Sequence, residues 1–161
     1  MSNSPSKKTP KIESVHVNKK ALFDFEILET FEAGIGLLGA EVKSIREGGC
    51  NLKGSFVVLA SGRPTVVGMR VSPYSHAPNL KHALDPVRER DVFLKRKDVD
   101  RLMGKVKEKG VTLIATEVYL KGSLIKLKVA LARGRKEFDK KQVLRERDLD
   151  RDAKRSISER G

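Results

Sequence analysis

The chain has 161 residues, with 34 Lys and Arg against 21 Asp and Glu and a formal charge of +13. That length holds one core domain of on the order of 100–150 residues plus tails. The charge favours a polyanionic partner, because each Lys or Arg set on a phosphate releases condensed counterions. A membrane fits poorly. Crossing one takes an apolar run of roughly 18 residues or more, yet the apolar stretches, such as Val111–Ala115 and Val129–Ala132, are short and Trp is absent. The expected partner is nucleic acid, with no membrane. Cys50 is the only cysteine, which excludes an intramolecular disulfide and fits a reducing compartment. Met1–Lys11 is polar and lacks the apolar segment of a secretory signal, so the expected location is cytoplasmic.

Residues 1–14, rich in Ser, Pro and Lys, read as a disordered N-terminal segment. From Phe23 the chain alternates: Phe23, Phe25 and Ile27 against Asp24 and Glu26, the period of a half-buried strand. Ala33–Gly39, apolar and Gly-rich, reads as a second strand with a bend. Glu41–Glu47 has helical spacing and ends at Gly48-Gly49. Ser55–Leu59 and Thr65–Val71 flank Ser61-Gly62-Arg63-Pro64 and form a hairpin. Ser72–Asp85 is a Pro-marked loop, and Val92–Leu94 a short apolar segment. Asp98–Glu108 places Val99, Leu102, Met103 and Val106 on one face of a helix stopped by Gly110.

Val111–Tyr119 and Leu124–Ala132 are strands around Lys121-Gly122-Ser123, the second with an apolar face and Lys126 and Lys128 opposite. Residues 15–132 therefore form the core domain: mainly β, about six strands and two short helices without βαβ alternation. That pattern favours an oligonucleotide-binding-type antiparallel β-barrel. Residues 133–161 are dominated by charge and form a basic C-terminal tail, expected to be disordered alone and helical on a partner.

Gly34-Ile35-Gly36-Leu37-Leu38-Gly39 has the G-x-G-x-x-G spacing of a dinucleotide loop. The βαβ unit and the acidic residue roughly 20 positions on are missing, so these glycines are read as bending a strand. His16, His76, His82 and Cys50 show no metal-ligand spacing. No nucleophile, base and orienting group come together, so no catalytic residue, metal or cofactor is expected and the chain is not read as an enzyme. Tyr74 and His76 serve either base stacking or loop packing. Phe138, a lone aromatic among charges, either docks on a partner or folds back on the barrel.

The cations form sets: Lys19 and Lys20 before the first strand, Lys43 and Arg46 one helical turn apart, and Lys126 and Lys128 on one strand face. Together they describe an extended phosphate-tracking surface.

Several segments carry a family resemblance. Asn18-Lys19-Lys20-Ala21, Glu29–Ile35, Glu41-Val42-Lys43-Ser44-Ile45-Arg46, Asn51-Leu52, Ser72-Pro73-Tyr74-Ser75-His76, Gly104–Gly110 and Ala132-Arg133-Gly134-Arg135-Lys136 follow one another as in the small protein B family. The chain resembles that family from about Val15 to Arg147. The resemblance implies a non-catalytic barrel that binds the tRNA-like domain of tmRNA and delivers it to stalled ribosomes for trans-translation. It implies RNA-facing roles for Asn18, Lys19, Lys20, Glu32, Glu41, Lys43, Ser44, Arg46, Asn51, Lys126 and Lys128. It also implies that the tail enters the empty mRNA channel and becomes helical. There Lys136, Phe138, Asp139, Lys140, Lys141, Arg145, Arg147, Arg151, Lys154 and Arg155 would meet the channel and the small-subunit decoding centre. The resemblance further implies that elongation factor Tu with GTP joins through tmRNA and that alanyl-tRNA synthetase acts indirectly. The chain departs from the family's pattern at Phe23-Asp24-Phe25, Gly49, Gly54 and Lys141. The rival readings are a general single-strand-binding barrel, which needs more aromatic platforms than two Tyr and six Phe supply, and an RNA-modifying enzyme, which needs a cofactor or metal site.

Overall fold

The computed structural model describes residues 11–74, 85–136, 140–142, 144–149 and 151. Its elements run β1 (Ile12–Val17), α1 (Lys19–Asp24), β2 (Phe25–Ile35), α2 (Gly39–Arg46), β3 (Cys50–Asn51) and β4 (Phe56–Ala60). There follow β5 (Arg63–Val67), β6 (Arg70–Val71), β7 (Arg90–Phe93), α3 (Arg96–Lys105), β8 (Val111–Lys121) and β9 (Leu124–Gly134). All strand pairs are antiparallel. The order β8-β4-β5-β7-β2-β9 closes through β8–β9 pairing, so these strands form a barrel; β1 adds to β8, and β3 pairs with β6 apart from it.

Alternation along the long strands builds the inside. Val118, Leu127 and Ala33 lie in one row, and Ala115, Val129 and Phe31 in another. They join Val57, Val66, Val92 and Leu113, with Ile45 from α2 and Leu102 from α3, in one core. Each fully buried Leu, Ile or Val stabilises the fold by about 1.5–3 kcal/mol. A second cluster sits where Ala21 of α1 meets Ile114, Ala130 and Ala132, against Phe25 and Ile27. Alanine at 130 and 132 lets the helix lie close to the strand. α1 covers the Ala130 and Ala132 part of that face and leaves Lys126 and Lys128 outside the cluster.

The hairpins follow the turn chemistry. Ser61 and Gly62 have φ of +54° and +74° between the paired Ala60 and Arg63, as a two-residue turn of the hairpin type requires. Of the glycines of the G-x-G-x-x-G run, Gly34 and Gly36 lie against β7, whereas Gly39 starts α2 in open space. A Cβ on Gly34 would meet Phe93 at 3.4 Å, and one on Gly36 would meet Asp91 at 3.6 Å.

Four expectations are corrected. Ile12–Ser14, placed in the disordered N-terminal segment, belong to β1, whose backbone groups are satisfied by the edge of β8. Phe23 is not in a strand: Asn18 caps a short helix, and the strand starts at Phe25. Ala33 and Ile35 are not in a separate strand but complete β2, which absorbs a bulge between Ile27 and Glu29. The returning strand of the hairpin is interrupted at Gly68, whose φ of +80° separates β5 from β6.

The core runs to Gly134, two residues past Ala132. In the tail, residues 140–142, 144–149 and 151 are helical. Lys, Gln, Leu, Arg and Glu there are good helix formers, and Asp148 pairs with Arg151 at 3.7 Å one turn on.

Candidate nucleic-acid interface

Two transverse rows cross the outside of the barrel. In one, Glu32 of β2, Lys128 of β9 and Glu117 of β8 are direct neighbours. In the next, Tyr119, Lys126, Gly34 and Phe93 follow one another across four strands. Antiparallel pairing puts each row's side chains on one face. Lys128 Nζ lies 3.1 Å from Glu117 Oε2 and 5.9 Å from the Tyr119 ring centroid. Tyr119 donates its hydroxyl to Glu32 Oε2 at 2.5 Å, and Lys121 Nζ donates to Glu32 Oε1 at 3.0 Å. The Tyr119 bond, then that from Lys121, holds the Glu32 carboxyl below the usual range; the Lys126 charge assists. Burial, followed by the hydrogen bond and charge of Glu32, pushes the Tyr119 phenol up. At neutral pH Glu32 is an anion and Tyr119 a fixed donor. Lys126 has no ion-pair partner within contact distance among the described residues.

The short helix α2 extends this surface. Lys43 and Arg46 are exposed on it. Arg46 Nη2 donates to Ser123 O at 3.0 Å, tying α2 to the β8–β9 turn, and Lys43 Nζ lies 5.6 Å from the Tyr74 ring centroid. A continuous belt thus runs from Tyr74 and Lys43 through Arg46, the turn and Lys121 to Glu32, Lys126 and Lys128. Lys19 and Lys20 are exposed on α1, over the other half of the same strands, with Lys20 Nζ 3.5 Å from Asp24.

Three residues expected on the RNA-facing surface, Asn18, Glu41 and Ser44, have buried side chains that hold the fold together. Asn18 is 2% exposed: its Nδ2 donates to Leu52 O at 2.9 Å and Ala115 O at 3.0 Å, and its Oδ1 accepts from Ala21 N. Ser44 donates to Ser72 O at 2.6 Å, anchoring the strand end beside Tyr74. Glu41 accepts from Leu38 N, Arg88 and Arg90. Burial pushes its carboxyl up, but the bonds from Arg88, Leu38 and Arg90 outweigh that and hold it below the usual carboxylate range. Asn51 is exposed, with its Oδ1 accepting from Lys53 N at 2.8 Å.

Sequence reasoning missed Phe93, 61% exposed in a four-residue strand, as well as Tyr119 and Lys121. The usable signal for Phe93 was the glycine pair whose missing side chains make room for its ring.

Lys136, Lys141, Arg145 and Arg147 are exposed. Lys140 Nζ lies 3.4 Å from Asp24, and Arg151 pairs with Asp148. Phe138, Asp139, Lys154 and Arg155 lie outside the described residues, as does His76. Burial pushes the Cys50 thiol up to about 11, so it stays protonated at neutral pH. No group of His, Cys, Asp and Glu among the described residues could hold a metal ion.

A small closed β-barrel with cations and aromatics on its outer rows, a cationic helix beside them and a basic tail belongs to the class of barrels built to track a polyanionic backbone. Residues 15–159 match the family described as SmpB protein. The SsrA-binding protein of Persephonella marina is 45% identical, covering 88% of this chain and 91% of its own length. That of Gloeobacter violaceus is 44% identical over 87% and 91%. A solved structure described as tmRNA-SmpB in the bacterial ribosome superposes with a TM-score of 0.62 at 39% identity, covering 76% of this chain and 85% of the other. The chain belongs to the SmpB family.

Proposed function

We propose that this protein binds the tRNA-like domain of tmRNA, the SsrA RNA, and delivers it to stalled ribosomes for trans-translation. The observation that carries the reading is the belt: Lys43, Arg46, Lys126 and Lys128 on one connected outer surface, beside the exposed Phe93 ring. Cations gathered on one surface suit a phosphate backbone, and the exposed ring offers a base-stacking platform. The Glu32 carboxylate, held by Tyr119 and Lys121, presents an acceptor for ribose hydroxyls or base amines. SsrA binding by the relatives and the tmRNA-SmpB ribosome structure support the assignment.

The tail takes the second part of the work. Lys136, Lys140, Lys141, Arg145, Arg147 and Arg151, with Phe138, Asp139, Lys154 and Arg155, contact the decoding centre and the empty mRNA channel. The helical residues 140–142 and 144–149 support a helical tail there. Elongation factor Tu with GTP joins through tmRNA, alanyl-tRNA synthetase acts on the RNA alone, and the protein works in the cytoplasm without catalysing a reaction.

The test is reconstituted translation of a message lacking a stop codon, with tmRNA and the full chain or a chain ending at Lys136. The full chain supports tagging of the stalled peptide, and the short one binds tmRNA but does not. Tagging by the short chain would contradict the two-part division.

A further inference from the structure

Phe93 stands at the mouth of a groove that the belt does not use. A cavity of about 440 Å³ lies between the tip of the β4–β5 hairpin and the start of α3, lined among others by Ser61, Pro64, Phe93, Leu94, Arg96 and Asp100. That volume is within the range of about 300–1,000 Å³ of small-molecule sites. Its chemistry is divided. Pro64, Leu94 and the Phe93 ring supply apolar surface, Arg96 a cation, Asp100 a carboxylate and Ser61 a hydroxyl. Neither Arg96 nor Asp100 forms an ion pair with another described residue, whereas neighbouring Arg101 is engaged by Glu29 and lies over Phe31.

The position of Phe93 joins the groove to the belt. Phe93 shares its row with Gly34, Lys126 and Tyr119, and its ring rests against Gly34 of β2 and Gly36 just past the strand's end. An RNA backbone lying on Lys126 and Lys128 would run beside the groove mouth, because Lys126, Gly34 and Phe93 share one row. A site for phosphate alone would not carry Asp100. A carboxylate matches a base edge with adjacent donors, and among the four bases guanine presents N1–H and N2–H side by side on its Watson–Crick edge.

We propose that this groove is a subsite for one unstacked guanine nucleotide of the bound RNA, with its base on Phe93, its Watson–Crick edge on Asp100 and its phosphate on Arg96. The proposal rests on the RNA-binding reading above and names the base it selects.

The test uses the full chain and the tmRNA tRNA-like domain, native or with its unpaired guanosines replaced one at a time by inosine, which lacks the N2 amine. One replacement weakens wild-type binding roughly tenfold, and Asp100→Ala weakens binding of the native RNA by a similar factor. For Asp100→Ala the same inosine replacement makes no further difference. Phe93→Ala costs roughly tenfold with either RNA, and Arg96→Gln lowers the salt dependence by about one phosphate contact. Asp100→Ala that binds native RNA like wild type, or that still discriminates inosine, overturns the subsite. Lys126→Gln in parallel separates the two failures. If it weakens binding while the Asp100 variant is neutral, only the subsite fails; if both are neutral, the RNA-binding surface itself is wrong.

Discussion

Arg90 Nε donates to Glu41 Oε2 at 2.8 Å, and this buried pair joins the helix that carries Lys43 and Arg46 to the strand that carries Phe93. Arg90 is 1% exposed and Glu41 3%. The remaining guanidinium donors of Arg90 reach Met69 O, Arg88 O and Pro86 O, so the buried charge is fully hydrogen-bonded. Glu41 thus ties α2 to β7 from inside the fold.

Glu41→Ala leaves Arg90 buried without its counter-charge and costs about 3–5 kcal/mol in urea unfolding. Glu41→Gln tests the pH dependence. The folded carboxyl titrates below its ordinary value, so its contribution is complete above about pH 4.3 and is lost as pH falls through the folded pKa. Wild-type stability falls on acidification more steeply than that of Glu41→Gln. Parallel acid profiles would contradict the depressed carboxyl.

Asn18→Ala strands the carbonyls of Leu52 and Ala115 and removes the α1 cap, costing about 2–3 kcal/mol. The loss appears in the unfolding midpoint. The salt dependence of RNA affinity stays unchanged in the folded variant, as expected of a residue that contacts no phosphate.

Arg46→Gln and Lys126→Gln act the other way. Each lowers the slope of log affinity against log salt by roughly one unit or less and leaves thermal stability nearly unchanged. An unchanged slope for either residue removes it from the phosphate surface.

Tyr119→Phe removes the hydroxyl that contributes most to lowering the Glu32 carboxyl. A carboxylate NMR titration then finds Glu32 nearer its ordinary value, with Lys121 supplying what remains of the shift. An unmoved titration would place the cause elsewhere.

The sequence revealed most where one strand face is dry. Lys126 and Lys128 alternating with Leu127 and Val129 announced both the strand and its cationic side. The Ser61-Gly62 turn and the apolar stripe Val99–Leu102 of α3 were legible for equally local reasons. β1 was hidden because Ile12–Val17 gains its stability from the edge of β8, over 90 residues away, rather than from its own apolar pattern. α1 was hidden because Phe23, Phe25 and Ile27 alternate across a helix end, and only the Asn18 cap distinguishes helix from strand. The burial of Glu41 and Ser44 was not legible because their partners, Arg88, Arg90 and the Ser72 carbonyl, lie far along the chain.

The most direct measurement is equilibrium binding of the full chain to the tmRNA tRNA-like domain, to an ordinary tRNA and to an unstructured RNA of equal length, across a salt series. The expected result is a preference for the tRNA-like domain that persists as salt rises, because side chains placed on a barrel read a shape as well as a charge. Equal affinities that vanish together with salt would contradict it and leave a polycation on a barrel.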